Sequence, residues 1–261
     1  MLSRNLEKAK KAYRSRDPDG SRAAHDHENM ETHRDGGGRY LKSSIYGGLD
    51  GIITTFAVVA GVTGASLEAG IVLILGFANL IADGLAMAFG EFLSGKAERE
   101  FHTAERERET WEFENHPEGE KQELMEIYVE KGLSEEDARQ VVDVFAKKKD
   151  VIVDVMMVEE LGLFEDDSSP VGNAFATFLS FVMFGFVPLL SYVATEWMGL
   201  GWKQFHLACG LTALTLFSLG ALKVRFTNRS WLGSGLEMML IGGIAALAAF
   251  GIGHGLSDLA N

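Results

Sequence analysis

Residues 71–93 read IVLILGFANLIADGLAMAFGEFL. The run is about twenty residues long and apolar enough to cross a ~30 Å hydrocarbon layer as a helix. It nevertheless carries Asn79, Asp83, Met87 and Glu91, each four residues after the last. Positions four apart on a helix lie nearly above one another, so these side chains form one stripe. Asp83 falls near mid-span, where a carboxylate costs roughly 2.5–3.5 kcal/mol on insertion scales. An anchor alone has no use for that. A polar helix–helix contact is one reading of the stripe, and a cation path is the other.

Four more blocks have the same apolar character, near 44–62, 174–193, 205–224 and 236–256. The expected fold is an all-α membrane protein with five transmembrane helices and a helical insert between the second and third. Its expected divisions are a polar, disordered tail (1–40), helices one and two (41–94), an acidic metal-binding insert (95–170) and helices three to five (171–261). The mean hydropathy of +0.06 hides this, because a very apolar part and a very polar part cancel. No apolar core follows the early basic residues, so no cleavable signal peptide is expected.

The formal charge of −13 over 261 residues is unevenly spread. Residues 95–170 hold 10 basic and 23 acidic side chains, whereas residues 1–42 hold 10 basic and 7 acidic. Acidity concentrated in one polar segment points to cations as partners and away from nucleic acid. A lone Cys209 excludes an intramolecular disulfide and a cysteine zinc site, and reads as a small buried residue. No nucleophile–base pair or Gly-rich phosphate loop stands out, so an enzyme is not expected. His25, Asp26, His27, Glu28 and His33 are compatible with loose metal binding but read better as tail.

The first block contains GGLDGIITTFAVVAGVTGA, with Asp50 about one-third of the way in and Thr54 one turn on. Its glycines permit close helix approach. A short link makes spans one and two a hairpin, placing Asp50 within possible reach of Asp83. Desolvation and like charge both disfavour two ionised carboxylates side by side, and a divalent cation between them reverses that balance. Metal exchanged against protons is the chemistry this suits. Basic residues flank the spans mainly on one side: Arg39, Lys42, Lys96, Arg99, Lys223, Arg225 and Arg229, against Lys203. The N-terminus and the insert are therefore expected on the cytosolic side.

In the insert, Glu98, His102, Glu105, Glu109, Glu112 and His116 follow at helical spacing, forming a seam along one face. Pro117 and Gly119 break the helix, and Glu120 and Glu123 resume on a second. Ser134 with Asp137 predicts the cap of a third helix, closed by Lys147–Lys149. Asp150 is the expected cap of a fourth, DVIVDVMMVEELG, ended by Gly162. There Met156 and Met157 precede Glu160 by four and three residues, so at least one thioether shares its face. An acidic seam can be mere solvated surface, but repulsion along it is relieved by divalent ions. Carboxylates with thioethers suit Fe²⁺, Mn²⁺ or Co²⁺. The Glu-x-x-His pairs of di-iron bundles are missing, since Arg99 and Phe113 stand three before His102 and His116.

The glycine-flanked Asp50, the run ADGLAMAFGEFLS (82–94), the acidic insert ending in DVMMVEELGL (154–163) and the later FGFVPLL (184–190) together resemble the vacuolar iron transporter family, over nearly all of residues 40–256. The resemblance implies a homodimer of five-span subunits moving Fe²⁺ from the cytosol into an acidic store such as a vacuole, or out of the cell, while protons return. In a prokaryote the membrane would be the plasma membrane. It implies no prosthetic group, with Fe²⁺ or another divalent ion (Mn²⁺, Co²⁺, Zn²⁺) as substrate. It gives Asp50 and Met87 transport roles, and makes Glu109, Glu112, Glu120, Glu123, Met156, Met157 and Glu160 the metal-collecting residues. Glu98 and Glu105 lie on the same seam. Where some members carry a Glu in span two, this chain has Asn79, and Asp83 one turn on is expected to replace it. The alternative function is a membrane-anchored metal buffer or sensor that transports nothing.

Overall fold

The computed structural model describes residues 6–23, 40–164, 168–198, 204–224 and 230–260, and among these every regular element is a helix. The chain divides into two units at Lys42/Ser43. In the first, where a disordered tail is expected, residues 6–23 hold two short helices, α1 (Leu6–Ser15) and α2 (Pro18–Ala23). They form because Pro18 starts α2 while Asp17 Oδ1 accepts from the backbone N–H groups of Asp19 and Gly20 at 3.1 and 3.0 Å. The tail histidines lie outside the described residues, as do Arg39, Lys203, Arg225 and Arg229.

In the second unit five helices are long and apolar enough to cross a membrane. They are α3 (Leu41–Gly64), α4 (Ala69–Asn115), α8 (Pro170–Met198), α9 (Gln204–Lys223) and α10 (Trp231–Gly255). A short α11 (Ser257–Ala260) follows α10. Between α4 and α8 stand α5 (Pro117–Glu130), α6 (Glu135–Phe145) and α7 (Lys149–Glu159). The expected boundary at 94/95 falls inside a single helix, because α4 runs 47 residues without a break. At 1.5 Å per residue that is about 70 Å, more than twice a hydrocarbon layer. Residues 69–95 are almost purely apolar and the remainder strongly charged, so one rod carries both the span and the first insert helix.

Packing of the spans follows small residues. On α4, Val72, Gly76, Leu80, Gly84 and Ala88 recur every four residues and are buried, mostly against α8. Phe181 of α8, 0% exposed, meets both neighbours: its ring touches the Gly84 position of α4, and its carbonyl oxygen lies where a Cβ on Gly51 of α3 would overlap it. Any larger residue at Gly51 would push α3 off α8. Helix α8 passes through Pro188 as one element, and Ser191 Oγ donates to the Pro188 carbonyl at 2.9 Å. Cys209, expected to be buried, is a half-buried thiol packed beside this core.

The insert has its own apolar centre of Leu124, Val142, Ile152 and Met156. Ser134 caps α6 as expected, accepting from the Asp137 N–H at 3.2 Å. The next junction differs from expectation. Helix α6 ends at Phe145, before the lysines, and the N-cap of α7 is Lys148 rather than Asp150. The chain closes there with tight backbone bonds from Lys147 to Val144 and Lys148 to Phe145, which need no side-chain cap. Asp150 falls in the first turn of α7, where its charge still suits the helix dipole. Gly162, at φ +66°, turns the chain out of α7, and the Leu163 N–H closes on the Met157 carbonyl at 2.8 Å.

Candidate metal centre

Helix α4 ends at Asn115, where His116 leaves helical geometry (φ −136°, ψ 53°) and Pro117 opens α5. The reversal turns the first residues of α5 back towards the last turns of α4, and Glu120 comes to face Glu109. Helix α7 lies along α4, tied to it by ion pairs of Arg106 with Asp154 and of Lys149 with Glu114. A further pair, Lys131 with Glu159, joins the end of α5 to α7. These contacts bring Glu160, at the C-terminus of α7, to the same point.

One carboxylate oxygen from each of Glu109, Glu120 and Glu160 lies within 4.8 Å of the other two. Glu109 is 1% exposed and Glu120 7%, while Glu160 is exposed. Both Glu109 oxygens are buried without a hydrogen-bond partner. Arg108 Nη2 approaches Oε1 at 2.9 Å, but out of line for a hydrogen bond. A buried, unbonded carboxylate is costly, and an oxygen-seeking cation is what would satisfy it.

Electrostatics agree. Burial first, then the charge of Glu160, pushes Glu109 up to about 7, against the opposing pull of Arg108. Burial and the charges of Glu109 and Glu123 push Glu120 up to about 7. Glu160 is also raised, by burial and then by Glu123. Its place at a helix C-terminus adds the negative end of the α7 dipole, which favours a cation there.

The other insert candidates divide. Glu105 and Glu112 are half-buried, and both add their charge at Glu109. Glu123 is exposed, yet acts on Glu120 and Glu160. Met156 and Met157 are both 2% exposed; Met156 belongs to the apolar centre of the insert, and Met157 is outside it. Glu98 is not brought in: it is exposed, eleven positions before Glu109 and so about 16 Å away along the helix. Arg108 is a cluster member that the acidic seam left unremarked. Its signal was present, because Glu105 and Glu112 lie three before and four after it.

Towards the apolar half of α4, the four stripe residues Asn79, Asp83, Met87 and Glu91 are all half-buried, beside the buried stripe against α8. They line the side facing α3. Ser43 Oγ of α3 donates to Glu91 Oε1 at 2.9 Å. Asp50 is half-buried, and Asp83 is close enough to act on it electrostatically. Because Gly51 and Gly84 both touch Phe181, their neighbours Asp50 and Asp83 sit at one level. Met87 packs against the apolar core of the spans. Beyond the two acids, Thr55 Oγ1 and Asn79 Nδ2 are buried without hydrogen-bond partners among the described residues. Ser43 thus adds a polar partner from α3 to the stripe, while Thr55 Oγ1 lies beside Gly185 of α8.

Residues 41–254 match a family model described as the VIT family. A vacuolar iron transporter of Toxoplasma gondii is 42% identical over 269 residues, covering 96% of this chain and 88% of the relative. One of Plasmodium falciparum is 40% identical over 264 residues, covering 97% of each chain. Vacuolar iron transporter 1 of Oryza sativa is 32% identical over 232 residues, covering 88% of this chain and 90% of its own. With this match spanning all five apolar helices and both acidic constellations, the chain belongs to the vacuolar iron transporter (VIT) family, whose members are transporters and not enzymes.

Proposed function

We propose that the protein is a proton-coupled divalent metal transporter that moves Fe²⁺ out of the cytosol across a vacuolar or similar acidic-organelle membrane. Its relatives' names support iron as the metal and a vacuole as the destination. Mn²⁺, Co²⁺ and Zn²⁺ are further substrates that an oxygen and thioether donor set suits. The observation that carries this reading is α4 itself. One unbroken helix bears Glu109, buried and unbonded in the acid cluster, and Asp83, set opposite Asp50 in the apolar layer.

Cations gather at Glu109, Glu120 and Glu160, with Glu105, Glu112 and Glu123 supplying field and Met157 a soft donor. They pass by Glu91 and Met87 to Asp50 and Asp83, where metal and protons exchange. Two anions in a membrane interior are tolerable only with compensating positive charge, so the metal leaves as protons arrive. Lys42, Lys96 and Arg99 flank the same ends of α3 and α4, which supports an insert facing the cytosol. A second copy of the chain completes the assembly as a homodimer, with the path lying between the subunits.

A metal buffer or sensor would need the insert and no acid in the spans. Fe²⁺ uptake into proteoliposomes separates the two. The transporter reading expects Asp50→Ala to lose at least tenfold in uptake while the protein still binds metal. Uptake equal to that of the unaltered protein would leave only the buffer.

A further inference from the structure

The acid cluster contains its own cation. The Arg108 guanidinium reaches three carboxylates at once: Nε and Nη2 donate to Glu105 Oε2 at 3.0 and 2.8 Å, Nη1 donates to Glu112 Oε2 at 3.0 Å, and Nη2 stands 2.9 Å from Glu109 Oε1. The last contact is unusual, because adjacent residues on a helix point about 100° apart. An arginine satisfied by partners three before and four after has no need to curl towards its neighbour. Here it does, and Glu109 is the most buried member of the triad that includes Glu120 and Glu160.

We propose that Arg108 is a tethered counter-cation: it stands against Glu109 of the cluster, and a divalent ion must displace it to bind. This rests on the reading of the cluster as the metal-collecting site. An ion held by the triad would draw on the Glu109 carboxylate that faces Nη2, and its double charge would repel the guanidinium a few ångströms away. The Arg108 side chain is 44% exposed on a long stem, so it has water to swing into once displaced. A tethered competitor lowers the affinity of the site without removing any ligand, which suits a site that must hand its ion onward. The opposite role, a clamp that preorganises the acids for metal, would raise affinity instead. The two roles give opposite signs.

The test is calorimetric titration of the full chain in detergent micelles with Fe²⁺ under anaerobic conditions, at a pH near 8 where carboxylates are ionised. Arg108→Gln should bind Fe²⁺ about tenfold more tightly, a modest factor because the group is half in water. Arg108→Lys, which keeps the charge, should stay within about threefold of the unaltered protein. Arg108→Met, which keeps the apolar stem, repeats the neutral variant should Gln perturb folding. Binding by the neutral variants that is unchanged or weaker would overturn the proposal, as would a Lys variant as tight as Gln. Glu109→Gln run in parallel isolates the underlying reading: if it binds Fe²⁺ like the unaltered protein, the cluster itself is not the site.

Discussion

At the scale of single residues, the account turns on carboxylates that the fold buries, Glu109 without a hydrogen bond. Burial and the charge of Glu160 raise Glu109 to about 7, and burial and the charge of Glu109 raise Glu120 to about 7, so protons would compete with any cation held there. Metal affinity should therefore climb as pH rises through about 7 and level off above it. Titrations at pH 6 and pH 8 check this, and equal affinities would contradict it. Replacing both by Gln should weaken binding by at least tenfold, since two of three clustered oxygen donors lose their charge. The sequence already marked these positions, because helical spacing makes Glu105, Glu109 and Glu112 a seam. It could not tell Glu109, 1% exposed, from Glu98, which is exposed, because that difference comes from α5 and α7 folding onto only one end of the seam. Arg108 was hidden for a related reason: a basic residue among acids reads as surface pairing until a neighbouring carboxylate proves to be buried.

At the scale of elements, the same acids destabilise the insert as pH rises. Their pKa values lie above the unfolded reference of 4.5, so the folded state holds protons that the unfolded state has lost. Stability is then greatest below about 4.5 and falls as pH climbs to about 7, by about 1.4 kcal/mol per unit of separation per group. The metal-free protein should melt at a lower temperature at pH 7.5 than at pH 5, and added Fe²⁺ or Mn²⁺ should restore the difference at pH 7.5 only. Thermal melts in micelles with and without chelator measure both. In the spans, Gly51→Ala should cost about 1–3 kcal/mol of stability, because its Cβ meets the Phe181 carbonyl oxygen and not a movable side chain. Span positions were legible from hydropathy to within a few residues. The start of α7 was not, since Lys147–Lys149 reads as a helix end and Lys148 caps without using its side chain. Nor did the composition break at Lys96 reveal that α4 continues through it. Helix propensity carries the backbone on regardless of which solvent surrounds it.

At the scale of the whole molecule, α4 joins the acid cluster proposed as the collecting site to a pair of acids in the apolar half of the helix, and Phe181 of α8 touches the neighbours of both acids. The family and the five apolar spans make the protein an integral membrane transporter. Exchange of metal for protons is the claim on which the rest depends, and it is a statement about two fluxes at once. Proteoliposomes containing a pH-sensitive dye and given external Fe²⁺ measure both together. Metal entry should be matched by proton exit, should quicken as the lumen is made more acidic, and should vanish in Asp50→Ala. Fe²⁺ entering at a rate indifferent to luminal pH, with no proton leaving, would contradict the account.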